Sequence, residues 1–325
     1  MKTYYFLLLL VLLACESKKE VGSIEKTDEG LDAIIKPGTA VELLAEGFVW
    51  SEGPVWVESE KMLLFSDVPK NNIYKWTEKD GLSEYLTPSG YTQIEEGNAG
   101  EGSNGLLLNA SGQLVICQHG DRRMASMESP LNNPSANFKT LAATFEGKRF
   151  NSPNDAAYNT KGELFFTDPP YGLSDQDNDK AKEIKFNGVY RLDRQGVVSL
   201  LVDSLTRPNG IAFINDSTFI VANSDKDKAK WYEYSIRQDS IISGKVFYDA
   251  TTSAQTEKGL PDGLKISSKG IVFATGPGGV WIFDVNGKLL GKIKTTMASA
   301  NCALDAEEKT LYITSHNNLL RVQLQ

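Results

Sequence analysis

Six times along this chain a carboxylate or amide, next to a glycine or another small or polar residue, opens an apolar strand. The phrases are Glu52-Gly-Pro-Val-Trp, Asn104-Gly-Leu-Leu-Leu, Asn154-Asp-Ala-Ala-Tyr, Asn209-Gly-Ile-Ala-Phe, Asp262-Gly-Leu-Lys-Ile and Asn301-Cys-Ala-Leu-Asp. Their lead residues are separated by 52, 50, 55, 53 and 39 positions. A long fixed period means one supersecondary unit repeated, each burying its faces against its neighbours, and radial all-β arrays have this signature.

Inside the units the period is that of strands, and helical spacing is almost absent. About ten residues after each lead phrase comes a second apolar run, such as Met62–Ser66, Leu164–Thr167 and Ile271–Thr275. Between the two lies a turn rich in Gly, Asn, Asp and Ser, which supply the positive φ and local hydrogen bonds that hairpins need. A third run and a final strand complete a four-stranded meander, as in Gly188–Leu192 followed by Val197–Val202.

Six such meanders predict an all-β, six-bladed β-propeller. Only three strands fit between Asn301 and Gln325, and the missing fourth is available as Ala40–Ala45. An N-terminal strand closing the last blade would cover an edge that a sheet protein otherwise leaves exposed. The first strand of a blade is its innermost, so the six lead residues are expected to ring one mouth of the channel. Two carboxylates and four amides suit a hard cation such as Ca²⁺, and no His or Cys joins them to favour zinc.

Ahead of the propeller, Met1–Ala14 carries Lys2 and the run Phe6–Ala14, too short to span a bilayer and ended by a small residue. Residues 1–14 read as a signal peptide. Leu12-Leu13-Ala14-Cys15 resembles a bacterial lipobox, which makes Cys15 the expected site of lipidation. Residues 15–38, rich in charge and poor in aromatics, are expected to be a flexible tether, leaving 39–325 for the propeller. The predicted location is the bacterial cell envelope, with membrane contact only through the lipid.

The chain has 42 acidic and 34 basic residues, and loss of Met1–Ala14 would take its net charge from -8 to -9. Nucleic acid is therefore an unsuitable partner. Cys117 and Cys302 sit in apolar runs and read as buried free thiols. A serine-hydrolase triad is excluded by the absence of Gly-x-Ser-x-Gly and the presence of two histidines in all.

Ser51-Glu-Gly-Pro-Val-Trp56, Arg149-Phe-Asn-Ser-Pro-Asn-Asp155, Phe166-Thr-Asp-Pro-Pro-Tyr-Gly-Leu173, Arg207-Pro-Asn-Gly-Ile-Ala212 and Pro261-Asp-Gly-Leu264 together resemble the senescence-marker-protein/gluconolactonase/LRE-like family, which includes regucalcin. The resemblance runs from about Val41 to the C-terminus. It implies a divalent-metal-dependent lactonase, a carboxylic-ester hydrolase opening a small-molecule sugar lactone. The implied cofactor is one divalent cation, Ca²⁺ first, with Mg²⁺, Mn²⁺ or Zn²⁺ as alternatives.

By motif, Glu52, Asn209 and Asp262 correspond to metal ligands and Asn154 to the asparagine beside the metal and its water or substrate. The same resemblance makes Asp262 the general base. Arg149 and Asn151 are candidates for substrate hydroxyls. This chain inserts Ser152-Pro153 before Asn154, which leaves open whether Asn151 or Asn154 faces the ion. Asp168 and Tyr171 lie where a loop would cover the mouth, and His119 is placed to contact substrate or to satisfy a loop. The long segments 122–139 and 174–185 have the length of lids or binding loops. The competing reading is a non-catalytic envelope propeller that binds a carbohydrate or protein ligand around a structural Ca²⁺. Monomer and dimer both stay open.

Overall fold

The computed structural model describes residues 20–92, 101–237 and 240–325; the expected signal segment and Cys15 lie outside them. Six antiparallel sheets occupy residues 51–86, 103–142, 156–202, 208–249, 264–295 and 301–323, each ordered so that its first strand is at one edge. These first strands are Ser51–Val57, Ser103–Leu108, Ala156–Tyr158, Pro208–Asn215, Leu264–Ile266 and Asn301–Leu304. They touch one another in cyclic order, the sixth returning to the first, which closes the ring. The six-bladed propeller is thus the observed fold.

The apolar residues are divided among the seams between blades. In blade one, Leu64 and Ile73 pack with Leu106 and Ile116 of blade two, whereas Leu63 and Phe65 pack with Tyr312 and Leu319 of blade six. Alternate side chains of Met62–Phe65 therefore face opposite neighbours, and this part of the strand, buried on both faces, is apolar without a break. Every seam repeats this plan with its own cluster, and each fully buried large side chain contributes roughly 1.5–3 kcal/mol. Cys117 and Cys302 lie inside two of these clusters as buried thiols with no disulfide.

Blade six is completed by Glu42–Glu46, which pairs with Asn318–Arg321. Part of the segment expected to be a flexible tether, residues 15–38, is instead packed on the propeller. Gly22–Lys26 adds a fifth strand to blade five, pairing with 291–295, and a 3-10 turn at Glu29–Ala33 follows it. Val21, Leu31 and Ile35 are buried with Leu290 and Ile293 between blades five and six. Charged composition concealed a few well-spaced apolar side chains, which suffice to hold the segment down.

The long segment after Arg122 also differs from expectation. Arg123–Met127 and Phe138–Ala142 are strands, and the turn between them lies against Glu60 and Ser111–Gln113, beside the hairpin turns that follow the inner strands. It is therefore at the end of the propeller away from the lead residues. Segment 174–185 is held down by Arg122, whose guanidinium donates to Phe150 O and Ala181 O, and by buried Lys182.

Candidate active site at the channel mouth

The lead residues owe their direction to irregular strand starts. Register shifts occur between Glu52 and Val55, Ser103 and Leu106, and Pro208 and Ile211. Such bulges free Glu52, Asn104 and Asn209 from the alternation of the pleat and turn them toward the channel.

The glycine that follows a lead residue has its own steric cause. Gly53 has φ +50, and a Cβ there would lie 2.0 Å from the carbonyl oxygen of Asn104 in the next blade. At Gly210 it would lie 2.3 Å from the Asp262 carbonyl oxygen. Adjacent blades thus approach backbone to backbone at the mouth, where no side chain fits. Hydroxyls from second strands reinforce the ring: Ser66 donates to Asn104 O at 2.8 Å and Thr167 to Asn209 O at 2.7 Å.

Glu52, Asn104, Asn154, Asn209 and Asp262 line one cavity of about 460 Å³. Trp50, Val68, Pro69 and Leu260 form an apolar part of its wall, and Glu101, His119, Tyr171 and Ser224 a polar part. Asn104 Oδ1, Asn154 Oδ1, Asn209 Oδ1 and Asp262 Oδ1 are buried atoms without a hydrogen-bond partner among the described residues. Native proteins rarely leave such oxygens unmatched, because each forfeits about 1–3 kcal/mol.

Asn301 behaves differently. Its Nδ2 lies 3.4 Å from both Glu52 Oε2 and Asp155 Oδ2, and its Oδ1 accepts Cys302 N at 2.9 Å. It joins the mouth to the channel interior without offering a free oxygen.

Burial pushes the Glu52 carboxyl up to about 7, with the charge of Asp155 adding to it against the hydrogen bond from Gly53 N. Burial raises Asp262 well above the usual carboxylate range, with Glu52 and Asp155 adding to the effect. Two acids held this way keep their protons until a cation neutralises their buried negative charge. Because most of the oxygens are amides, no group of three or more His, Cys, Asp and Glu stands at metal-holding distance among the described residues. Unpartnered amide and carboxylate oxygens nonetheless match the donor chemistry of a hard divalent cation.

Several expected substrate contacts are elsewhere. His119 and Tyr171 line the cavity, but Arg149, Asn151 and Asp168 do not. Arg149 is exposed, and its guanidinium donates to Asp121 O at 3.1 Å. Asn151 is fully buried, its Nδ2 donating to Phe186 O at 2.9 Å and Asp168 O at 3.2 Å. Asp168 accepts Asn151 N at 2.8 Å and Ser152 N at 2.7 Å, which commits its carboxylate to holding the chain that leads to Asn154. Asn154, three residues on, is the asparagine that faces the mouth.

Sequence reasoning missed Trp50, Glu101, Asp155 and Ser224. Asp155 adjoins a lead residue and was legible as the one acid standing where other phrases have glycine. Glu101 and Ser224 belong to connecting segments whose direction no pattern specifies.

Fold and mouth together define the class: a six-bladed propeller whose inner strands bring carboxylate and amide oxygens to one end of its channel. The chain belongs to the SMP-30/Gluconolactonase/LRE-like region family, which it matches over residues 50–317. It is 37% identical over 311 residues to the gluconolactonase of Zymomonas mobilis, covering 93% of this chain and 86% of that one. A gluconolactonase structure from Xanthomonas campestris superposes with a TM-score of 0.79 at 27% identity, covering 93% of this chain and 95% of the other. The fold is shared with a calcium-binding regucalcin from Agrobacterium tumefaciens, with a TM-score of 0.68 at 14% identity and coverage of 88% and 95%.

Proposed function

We propose that this protein hydrolyses sugar lactones at the channel mouth with a divalent cation held by Glu52, Asn154, Asn209 and Asp262. The observation that carries this reading is the set of unpartnered buried oxygens converging on one cavity. Kinship with lactonases supplies the reaction class. Ca²⁺ is the cation whose oxygen preference fits the donors best.

When bound, such an ion polarises an ester carbonyl and makes water more acidic. The chain's own part is to position and to move protons. Asp262 presents Oδ1 with no partner among the described residues, and the carboxylate oxygen not held by the cation is the one to take a proton from the attacking water. A new C–O bond forms at the lactone carbonyl as the ring C–O bond breaks, and Asp262 returns the proton to the departing ring oxygen. Trp50, Val68, Pro69 and Leu260 provide the wall that excludes bulk water and takes the apolar face of the substrate ring.

The test is hydrolysis of a panel of aldonolactones with and without chelator. Activity is expected to disappear with chelator and return with added Ca²⁺. Absence of any chelator-sensitive hydrolysis overturns the assignment and leaves a binding propeller.

Export and anchoring belong to the same proposal. The Phe6–Ala14 run and the Leu12–Cys15 phrase support lipidation of Cys15 and an envelope location. A Cys15→Ser variant is expected to leave the membrane fraction; unchanged fractionation argues against the anchor.

A further inference from the structure

An asparagine ligates a hard cation only through its oxygen, so something must hold its amide the right way round. The Oδ1 atoms of Asn154 and Asn209 have no hydrogen-bond partner among the described residues, while the Nδ2 atom of each meets a side-chain atom at its back, and the Asn209 amide also reaches the Asp262 carboxylate and Tyr171. Asn154 Nδ2 lies 3.5 Å from His119 Nε2. Asn209 Nδ2 lies 3.2 Å from Ser224 Oγ.

Both neighbours are themselves fixed in polarity. His119 Nδ1 lies 3.2 Å from Glu101 Oε2, and a carboxylate accepts, so Nδ1 carries a ring hydrogen, and in the neutral ring Nε2 then presents its lone pair. His119 is 1% exposed and has no bulk water to pair with instead. Ser224 gives its hydroxyl hydrogen to the carbonyl oxygen of Pro261, so its Oγ is left to accept. Each amide therefore faces an acceptor, donates to it, and turns its oxygen toward the mouth. With either amide reversed, an N–H would point at the cation position and an oxygen would face a lone pair.

We propose that Glu101–His119 and Ser224–Pro261 are two orienting pairs that hold Asn154 and Asn209 with their oxygens toward the cation. His119 and Ser224 are thus positioning residues, acting through the amides. The inference rests on the cation site proposed above, and it adds that cation affinity is set as much by these outer partners as by the ligands. Loss of such a partner typically weakens a metal site 10–100-fold.

The experiment measures dissociation constants for Ca²⁺ and Tb³⁺ by calorimetry and sensitised luminescence on the full mature chain. Variants are His119→Phe, Ser224→Ala, Glu101→Gln and Ser224→Thr, with Glu52→Gln as the control that strikes a ligand directly. His119→Phe and Ser224→Ala are expected to weaken binding by about 10–100-fold. Ser224→Thr, which keeps the hydroxyl, should stay close to the parent. Glu101→Gln, at a partly exposed carboxylate, should fall between, because it frees the imidazole tautomer without removing the ring. Thermal midpoints accompany each measurement, and Glu101→Gln and Ser224→Ala keep the test intact should His119→Phe fold poorly. If the parent and Ser224→Ala bind equally tightly while Glu52→Gln does not bind, the orienting role is wrong and the cation site stands. If the parent itself binds neither ion, the cation site fails and the orienting role fails with it.

Discussion

Two polar regions of this propeller hold an aspartate away from bulk water, Asp168 completely and Asp262 in part, and differ in what the carboxylate oxygens face. Around Asp168, both carboxylate oxygens accept backbone N–H groups, from Asn151 and Ser152. At the mouth, Asp262 keeps one oxygen without a partner among the described residues, as do the amides of Asn104, Asn154 and Asn209. Burial pushes Asp168 up to about 7 against the pull of those N–H groups, and it raises Asp262 as well. A perturbed carboxyl is therefore common to both regions. What separates a brace from a site is the oxygen left open toward a cavity.

The largest expected effect comes from removing the open oxygen's chemistry. Asp262→Asn should lower kcat by about 10²–10⁴-fold, the usual worth of a positioned proton acceptor, while Ca²⁺ binding weakens only in part. Full turnover in this variant would erase the distinction between the two aspartates.

Acidity gives the next effect. Glu52, held up to about 7, must lose its proton before it can ligate, so cation affinity rises with pH. Between pH 7 and pH 5 the Ca²⁺ dissociation constant should increase roughly 50-fold from this group alone. The cation-free fold follows the opposite slope. The folded state binds the Glu52 proton more tightly than the unfolded chain does, so its stability falls as pH rises from 4.5 to about 7. Calorimetric titrations at several pH values, with and without Ca²⁺, read both slopes.

Asp168→Asn sharpens the contrast from the other side. It weakens the acceptor for two backbone N–H groups and should cost roughly 1.5–3 kcal/mol in denaturant unfolding. Its kcat should stay that of the parent once the protein is folded; a large loss of kcat would make Asp168 part of the site.

Arg149→Ala, the smallest effect, should leave kcat/KM unchanged, because the guanidinium serves Asp121 O outside the cavity. A raised KM for aldonolactones would return Arg149 to the substrate.

These outcomes track what the sequence could and could not convey. The ring was legible because glycine after a lead residue is forced by backbone contact between blades, so sterics wrote the repeat. The closing strand was legible from a strand deficit in the sixth unit. Arg149, Asn151 and Asp168 share a motif with Asn154 yet face away, since nearness along a loop says nothing about direction. Val21, Leu31 and Ile35 were too sparse to register in a charged segment, although one antiparallel partner strand and a seam were waiting for them. Glu101 acts through a histidine, and a pairwise contact at a separation of 18 residues leaves no periodic trace.

The N-terminal clasp also decides when the molecule can finish assembling. Glu42–Glu46 is made early, yet its partners are Asn318–Arg321, and Gly22–Lys26 waits for 291–295. Through nearly the whole of synthesis the last seam has nothing to join, and the first residues of the propeller are the final ones to be locked in. Pairings this distant along a chain are slow to form. A nascent chain that stalls before residue 318 would lack the strand that Glu42–Glu46 pairs with, and blade six would stay unfinished.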